Sequence, residues 1–184
     1  MIAEVLVGDE MTDVHIRDER ESDSAAIFEV NAAAFGGGKE CGEAKLVDSL
    51  REAGLAKISL VAEVDSTVVG HILFSPVTIE SEERSVELLS LAPMAVSPEF
   101  QRTGIGSQLV EAGLVRCRDT EMPAVVVLGH PAFYPRFGFA SDLALPLENP
   151  FGSGEAWMAL ELREGALSEV RGKVVYPQVF FELG

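Results

Sequence analysis

The residues with the clearest chemical potential are Gln101, Gly104 and Gly106, set in the run Gln101-Arg102-Thr103-Gly104-Ile105-Gly106-Ser107. An apolar stretch ends at Val96, Ser97-Pro98-Glu99 turns the chain, and an amphipathic stretch begins at the glycines. The first-turn N–H groups of a helix lack internal acceptors and carry the positive end of its dipole. Glycines at that point let a diphosphate approach the backbone without a metal. The spacing narrows the ligand. A dinucleotide loop needs a third glycine where Leu109 stands, and a P-loop needs a Gly-Lys-Ser/Thr that this run does not contain. Nucleotide binding on the same turn stays open as a separate reading. The two cysteines, Cys41 and Cys117, form no CxxC or Cys/His cluster, so neither a zinc site nor a disulfide framework is expected.

Thirty acidic residues against fourteen basic ones give a formal net charge of -16. Such a field repels polyanions, which argues against nucleic acid and favours a cationic partner such as an amine. An acid-rich, lysine-poor surface suited to a saline cytoplasm accounts for the same charge. With 184 residues, 47 % of them apolar, the chain suits one globular domain over 14–184 with an extension at 1–13. No apolar run is long enough to span a membrane, and the start lacks signal-peptide character, so a cytoplasmic protein is expected.

The elements that must position the glycine turn can be read from periodicity. Val14-His15-Ile16-Arg17 predicts a first strand. Asp23 or Ser24 can cap a helix reaching Phe35, Gly36-Gly37-Gly38 breaks it, and a second helix fits 43–53 with Gly54 as its stop. Residues 58–64 and 67–74 predict a hairpin across Asp65-Ser66. A further strand fits 86–96, where Pro93 signals an edge or a bulge. A helix over 104–120 leads to the continuous apolar run 124–128, typical of a strand buried on both faces. Strands are expected at 157–162 and, singly or as a pair, around Pro177 (Val174-Val175-Tyr176 and Val179-Phe180-Phe181). Residues 141–155, rich in Pro, Gly and Asn, are expected to be an irregular, substrate-facing loop. The order predicts an α+β (mixed α/β) domain with a largely antiparallel sheet and one parallel strand–helix–strand crossover.

Residues 94–110 resemble the acetyl-CoA-binding motif of the GNAT acetyltransferase superfamily, Gln/Arg-x-x-Gly-x-Gly/Ala, which Gln101, Gly104 and Gly106 match. Tyr134-Pro135-Arg136-Phe137-Gly138-Phe139 is similar to the family's Tyr-x-x-x-Gly-Phe. Ile16-Arg17 with Asp23, Ala34-Phe35, Glu43, Leu46-Val47, Gly70-His71-Ile72, Gly129-His130-Pro131 and Val175-Tyr176-Pro177 resemble its YhbS-like branch. The similarity runs over about 14–183.

The resemblance implies a splayed strand at Met94, Ala95 and Val96 that pairs with the pantetheine arm of acetyl-CoA. The Met94 amide would face the thioester oxygen, and the amides of Arg102, Thr103, Gly104, Ile105, Gly106 and Ser107 would hold the pyrophosphate. It implies direct acetyl transfer to a primary amine of a small molecule or protein, with Tyr134 as general acid toward the leaving sulfur. No metal, nucleic acid or membrane partner is implied, and a homodimer through the C-terminal strands is left open. The general base is undecided among His71, His130, Glu87, Ser90 and a water chain. The other reading is a non-catalytic acyl-CoA-binding module.

Overall fold

A computed structural model describes residues 2–7 and 10–182. Nine strands form one sheet: β1 (Ile2–Val7), β2 (Glu10–Asp18), β3 (Ile58–Val64), β4 (Thr67–Glu80), β5 (Ser85–Val96), β6 (Ala124–Leu128), β7 (Leu147–Glu148), β8 (Trp157–Glu161) and β9 (Gly172–Val175). The helices are α1 (Ser24–Phe35), α2 (Gly42–Glu52), α3 (Ile105–Arg118) and the four-residue α4 (Ser141–Ala144). The main path runs β1-β2-β3-β4-β5-β6-β8, and β9 pairs with the far end of β4. Along that path every pair is antiparallel except β5 with β6, which are joined through α3. A two-residue parallel ladder also links β7 to β9. This is the architecture the order of elements predicts.

Alternation along the central strands decides which helix covers which face. Leu60, Ala62, Ile72 and Phe74 join Ile105, Leu109, Val110 and Leu114 of α3 in one core, while Val61 and Leu73 join Ile27, Val47 and Leu50 of α1 and α2 in another. The apolar run of β6 is buried on both sides: Val125 and Val127 enter the α3 core, Ala124 and Val126 a third one with Leu88, Trp157 and Tyr176. The β3–β4 hairpin turns on Asp65 and Ser66, both at positive φ (47° and 64°), the backbone of a tight type I′ connection. Helix α1 ends at Gly36, whose φ of 83° other residues avoid.

Three expectations are corrected. The Asp23 side chain does not cap α1. Its carboxylate pairs with Arg17 at 2.7 Å and accepts the Arg20 N–H, and the guanidinium beside it holds its pKa below the ordinary range. Arg17 also pairs with Glu63 at 2.6 Å, so this cluster anchors the start of α1 to β2 and β3. Residues 179–181 lie in a 3-10 turn (Gln178–Phe181) rather than a strand, with Phe180 packed on Tyr176 at 4.8 Å. Residues 141–155 are not irregular throughout: they contain α4 and β7 and, with Trp157, line a small cavity of about 290 Å³.

Gly113 of α3 lies directly over the ring of the fully buried Phe74; a Cβ there would come within 2.5 Å of it. Gly113→Val should therefore lower unfolding free energy by about 1–3 kcal/mol through overpacking. Gly113→Ala should cost less, because alanine regains up to about 1 kcal/mol of helix propensity. Denaturant titration of the two variants checks the order.

Candidate active site

The site grows from an interruption in the sheet. In the β4–β5 ladder Ile72 pairs with Met94 but Phe74 pairs with Leu91, so Ala92 and Pro93 together oppose Leu73 and make a bulge at the expected proline. On its other side β5 pairs with β6 only at Leu89–Val125 and Ser90–Val126. Beyond those two pairs the strands diverge. Ser97 N–H donates to Val69 O at 2.8 Å, so by strand alternation the Ala95 backbone also faces β4, while Met94 and Val96 turn their N–H and C=O groups into the gap. The Val96 carbonyl is taken by the Gln101 side chain, whose Nε2 donates to it at 2.9 Å. Gln101 thus pins the end of β5 to the following turn.

That turn is rich in free donors. Among the described residues, none of the six consecutive N–H groups of 102–107 has a protein acceptor; the next, Gln108, donates to Gly104 O at 3.1 Å. Arg102 (φ 62°) and Gly104 (φ 94°) are both left-handed, as in backbone nests that bind anions. Met94, Val96, Gln101, Arg102, Gly104, Gly106, Ser107, Phe133 and Arg136 line a cavity of about 390 Å³ here. Gly106 faces Met94, Val96 and Phe133, so a side chain on it would fill the cradle. Arg136, which sequence reasoning did not single out, stacks over Phe133 at 4.6 Å and lies 3.4 Å from Ser107 Oγ. Of the other sequence-predicted contacts, the side chains of Ala95 and Ile105 are buried in the core, and the Thr103 hydroxyl bonds Phe100 O. Ile105 and Thr103 can offer only backbone, and the Ala95 backbone is turned to β4.

A second cleft, about 610 Å³, shares Met94 and Phe133 with the cradle. Its walls are Leu91, Ala92 and Pro93 of β5, Leu128 at the end of β6, the segment from Gly129 to Tyr134, and Phe35, Glu43 and Leu46 from α1 and α2. Tyr134 is 6 % exposed, packed edge-on against Phe133 (5.0 Å) and Phe139 (5.6 Å). Among the described residues no group hydrogen-bonds its hydroxyl, and the residue lines the cleft. Burial pushes this phenol up to about 12, so it keeps its proton at neutral pH. The ring lies against Gly129, where a Cβ would come within 2.3 Å of it. The role of Gly129 was not legible in the sequence, because it depends on a ring five residues away folding back.

Of the sequence candidates for a base, only His130 lines the cleft. Glu87 is exposed at the opposite end of β5, and Ser90 is buried. His71 is fully buried: Nε2 meets Ser59 Oγ at 2.9 Å and Nδ1 meets Asn31 Nδ2 at 3.4 Å. Ser59 passes its own proton to Glu19, which also pairs with Arg51 at 2.6 Å. Glu19 lies 3.9 Å from the imidazole, but Arg51 and Ser59 already occupy its oxygens. Burial first, then the nearby Arg51 charge, push His71 down to about 3. It is a neutral strut between α1, β3 and β4.

The comparisons with known proteins bear on this geometry. The Acetyltransferase (GNAT) domain pattern matches residues 56–141. YjhQ of Escherichia coli K12, named an uncharacterized N-acetyltransferase, is 42 % identical over 141 residues, 74 % of this chain and 75 % of its own length. E. coli K12 YhbS, named likewise, is 39 % identical over 141 residues, 75 % and 83 % of the two chains. The chain belongs to the GNAT acetyltransferase family. Among GNAT structures, E. coli YhbS in complex with CoA superposes with a TM-score of 0.84 at 33 % identity, covering 96 % of this chain and 97 % of that one. A Brucella melitensis family member in complex with acetyl-CoA gives 0.73 at 34 %, covering 91 % and 97 %. The matched pattern takes in the bulged strand, the cradle and Tyr134, but not α1 and α2. Among the described residues of this GNAT chain no helix is long and apolar enough to cross a membrane, and no cluster of three or more His, Cys, Asp and Glu could hold a metal.

The depressed His71 pKa sets a pH dependence. The unfolded chain binds a proton near pH 6.5 that the folded chain refuses until about pH 3, so this contribution is complete above pH 6.5 and is lost as pH falls. Between pH 6.5 and 5 it should remove about 2 kcal/mol of stability. His71→Gln should flatten that part of the profile, read by urea unfolding at pH 7.5, 6 and 5.

Proposed function

We propose that this GNAT chain transfers the acetyl group of acetyl-CoA directly to a primary amine. The observation that carries this reading is the run of six unbonded N–H groups at 102–107 opening onto a cleft that holds an unbonded tyrosine hydroxyl. Structures of family members with CoA and with acetyl-CoA support the choice of donor.

The residues fit that donor. The 102–107 amides, with Arg102 and Arg136 beside them, would neutralise a diphosphate. The outward N–H groups of Met94 and Val96 would pair with the amide-bearing arm as an added strand, and the Met94 N–H would stabilise charge on the thioester oxygen. Acetyl-CoA supplies an acyl carbon open to amine attack and a thiolate that leaves. The change forms one C–N bond and breaks one C–S bond. An ammonium acceptor gives up two protons, so one proton is released to solvent and one is taken up at sulfur. Tyr134, protonated and open to the cleft, donates to the sulfur and is recharged from solvent or the acceptor. An acyl-enzyme is not required. Cys117 lies in the core with its thiol pushed up to about 12, and Cys41 is buried and bonded to Asn31 O and Glu43.

Calorimetry with acetyl-CoA and thiol release on an amine panel test the proposal. Gly106→Val should weaken acetyl-CoA binding at least tenfold by filling the cradle. Tyr134→Phe should keep cofactor affinity within about threefold and lower kcat by about 10²–10⁴. Gly129→Ala should reproduce the Tyr134→Phe pattern in milder form, because it displaces the ring and spares the cradle. Tight acetyl-CoA binding without thiol release from any amine would instead favour the non-catalytic module.

A further inference from the structure

Resting on the cleft's reading as the acetyl-transfer site, we propose that the acceptor is a primary amine carried on an apolar body, and that Glu43 reads its ammonium group. The walls beyond the cradle are almost wholly apolar: Phe35, Leu46, Leu91, Pro93, Leu128 and Phe133. Phe35 and Leu128 are 47 % and 41 % exposed although large and apolar, and both belong to this cleft. An apolar acceptor would cover them, whereas a polyhydroxylated one would leave hydroxyls against walls that cannot bond them.

Among the described residues, Glu43 is the one carboxylate lining the cleft, opposite the segment that carries Tyr134. Its electrostatic state differs from that of its neighbours. Glu19, Glu40 and Glu63 each pair with a cation (Arg51, Lys45 and Arg17), while Glu43 has no cationic partner among the described residues. It is half-buried, and its Oε2 meets only the Cys41 thiol, at 3.5 Å, a weak neutral donor that orients the carboxylate without compensating it. It stands in the first turn of α2, a place that does not account for its facing the cleft. A half-buried, oriented and uncompensated carboxylate in an apolar cleft is the complement of an ammonium on a hydrophobic carrier. The net charge of -16 adds a long-range attraction for such a cation.

The test uses the full chain at saturating acetyl-CoA, with phenethylamine as the apolar probe and ethanolamine and glucosamine as polar ones. The expected result is kcat/KM at least tenfold higher for phenethylamine. Glu43→Gln, which keeps shape and removes charge, should raise the phenethylamine KM at least tenfold, with a much smaller change in kcat and unchanged acetyl-CoA affinity by calorimetry. Glu43→Asp should recover part of the loss. Leu128→Ser, at an exposed strand end where folding is not at stake, should narrow the preference for phenethylamine. Equal or better turnover of the polar amines, or an unchanged KM in Glu43→Gln, would overturn this inference and leave the transfer reading intact. Absence of thiol release from every amine, with acetyl-CoA bound, would overturn the transfer reading itself.

Discussion

Strands β5 and β6 stay paired for only two residues, Leu89 with Val125 and Ser90 with Val126, and then separate. Main-chain donors and acceptors removed from water need partners, and an open strand edge is ordinarily a liability for a soluble chain. Here β5 remains stitched to β4 on one side, through Ser97 and Val69 among others, while Met94 and Val96 face the gap on the other. The flanking walls from α1, α2 and the segment from Gly129 to Tyr134 restrict what can satisfy that edge. On the proposed reading, an extended ligand with its own amides would meet the requirement, and its far end would fall on the free donors of 102–107. One broken pairing would then set the direction of that ligand as well as its place.

The two ends of the groove are electrically different. In a chain of net charge -16, Arg102 and Arg136 gather at the cradle with the amino end of α3. The cleft beyond Met94 carries Glu43 on otherwise apolar walls. A dianionic head and a cationic partner would each be drawn to the correct end, and low-dielectric walls strengthen both preferences. Tyr134 lines that cleft as a phenol that burial keeps protonated at neutral pH.

Titratable groups elsewhere are used as framework. Arg17 joins Asp23 to Glu63, and Arg51, Glu19, Ser59, His71 and Asn31 form a chain from α2 through β3 and β4 to α1. These links hold the two helices that form one wall of the cleft against the sheet. His71, one of the sequence candidates for a base, is consequently held neutral.

Much of the donor side was legible in the chain itself. The bulge at Pro93, the left-handed Gly104, the free helix start after Gln101 and the doubly buried β6 all follow from properties of neighbouring residues: a missing N–H, a missing Cβ, an amphipathic period, an unbroken apolar run. The other wall was not. Glu43 and Gly129 carry the family resemblance but no role that local pattern assigns, and His71 reads as a candidate base. Which of them meets the cleft depends on how α1 and α2 seat on Val61 and Leu73, and on a tyrosine ring folding back over a glycine. The sequence by itself determined the turn and strand that line the cradle, because backbone geometry is a local property. Only the tertiary structure decided what lines the second cleft, because a wall built from segments far apart in the chain leaves no short-range pattern for periodicity or spacing to detect.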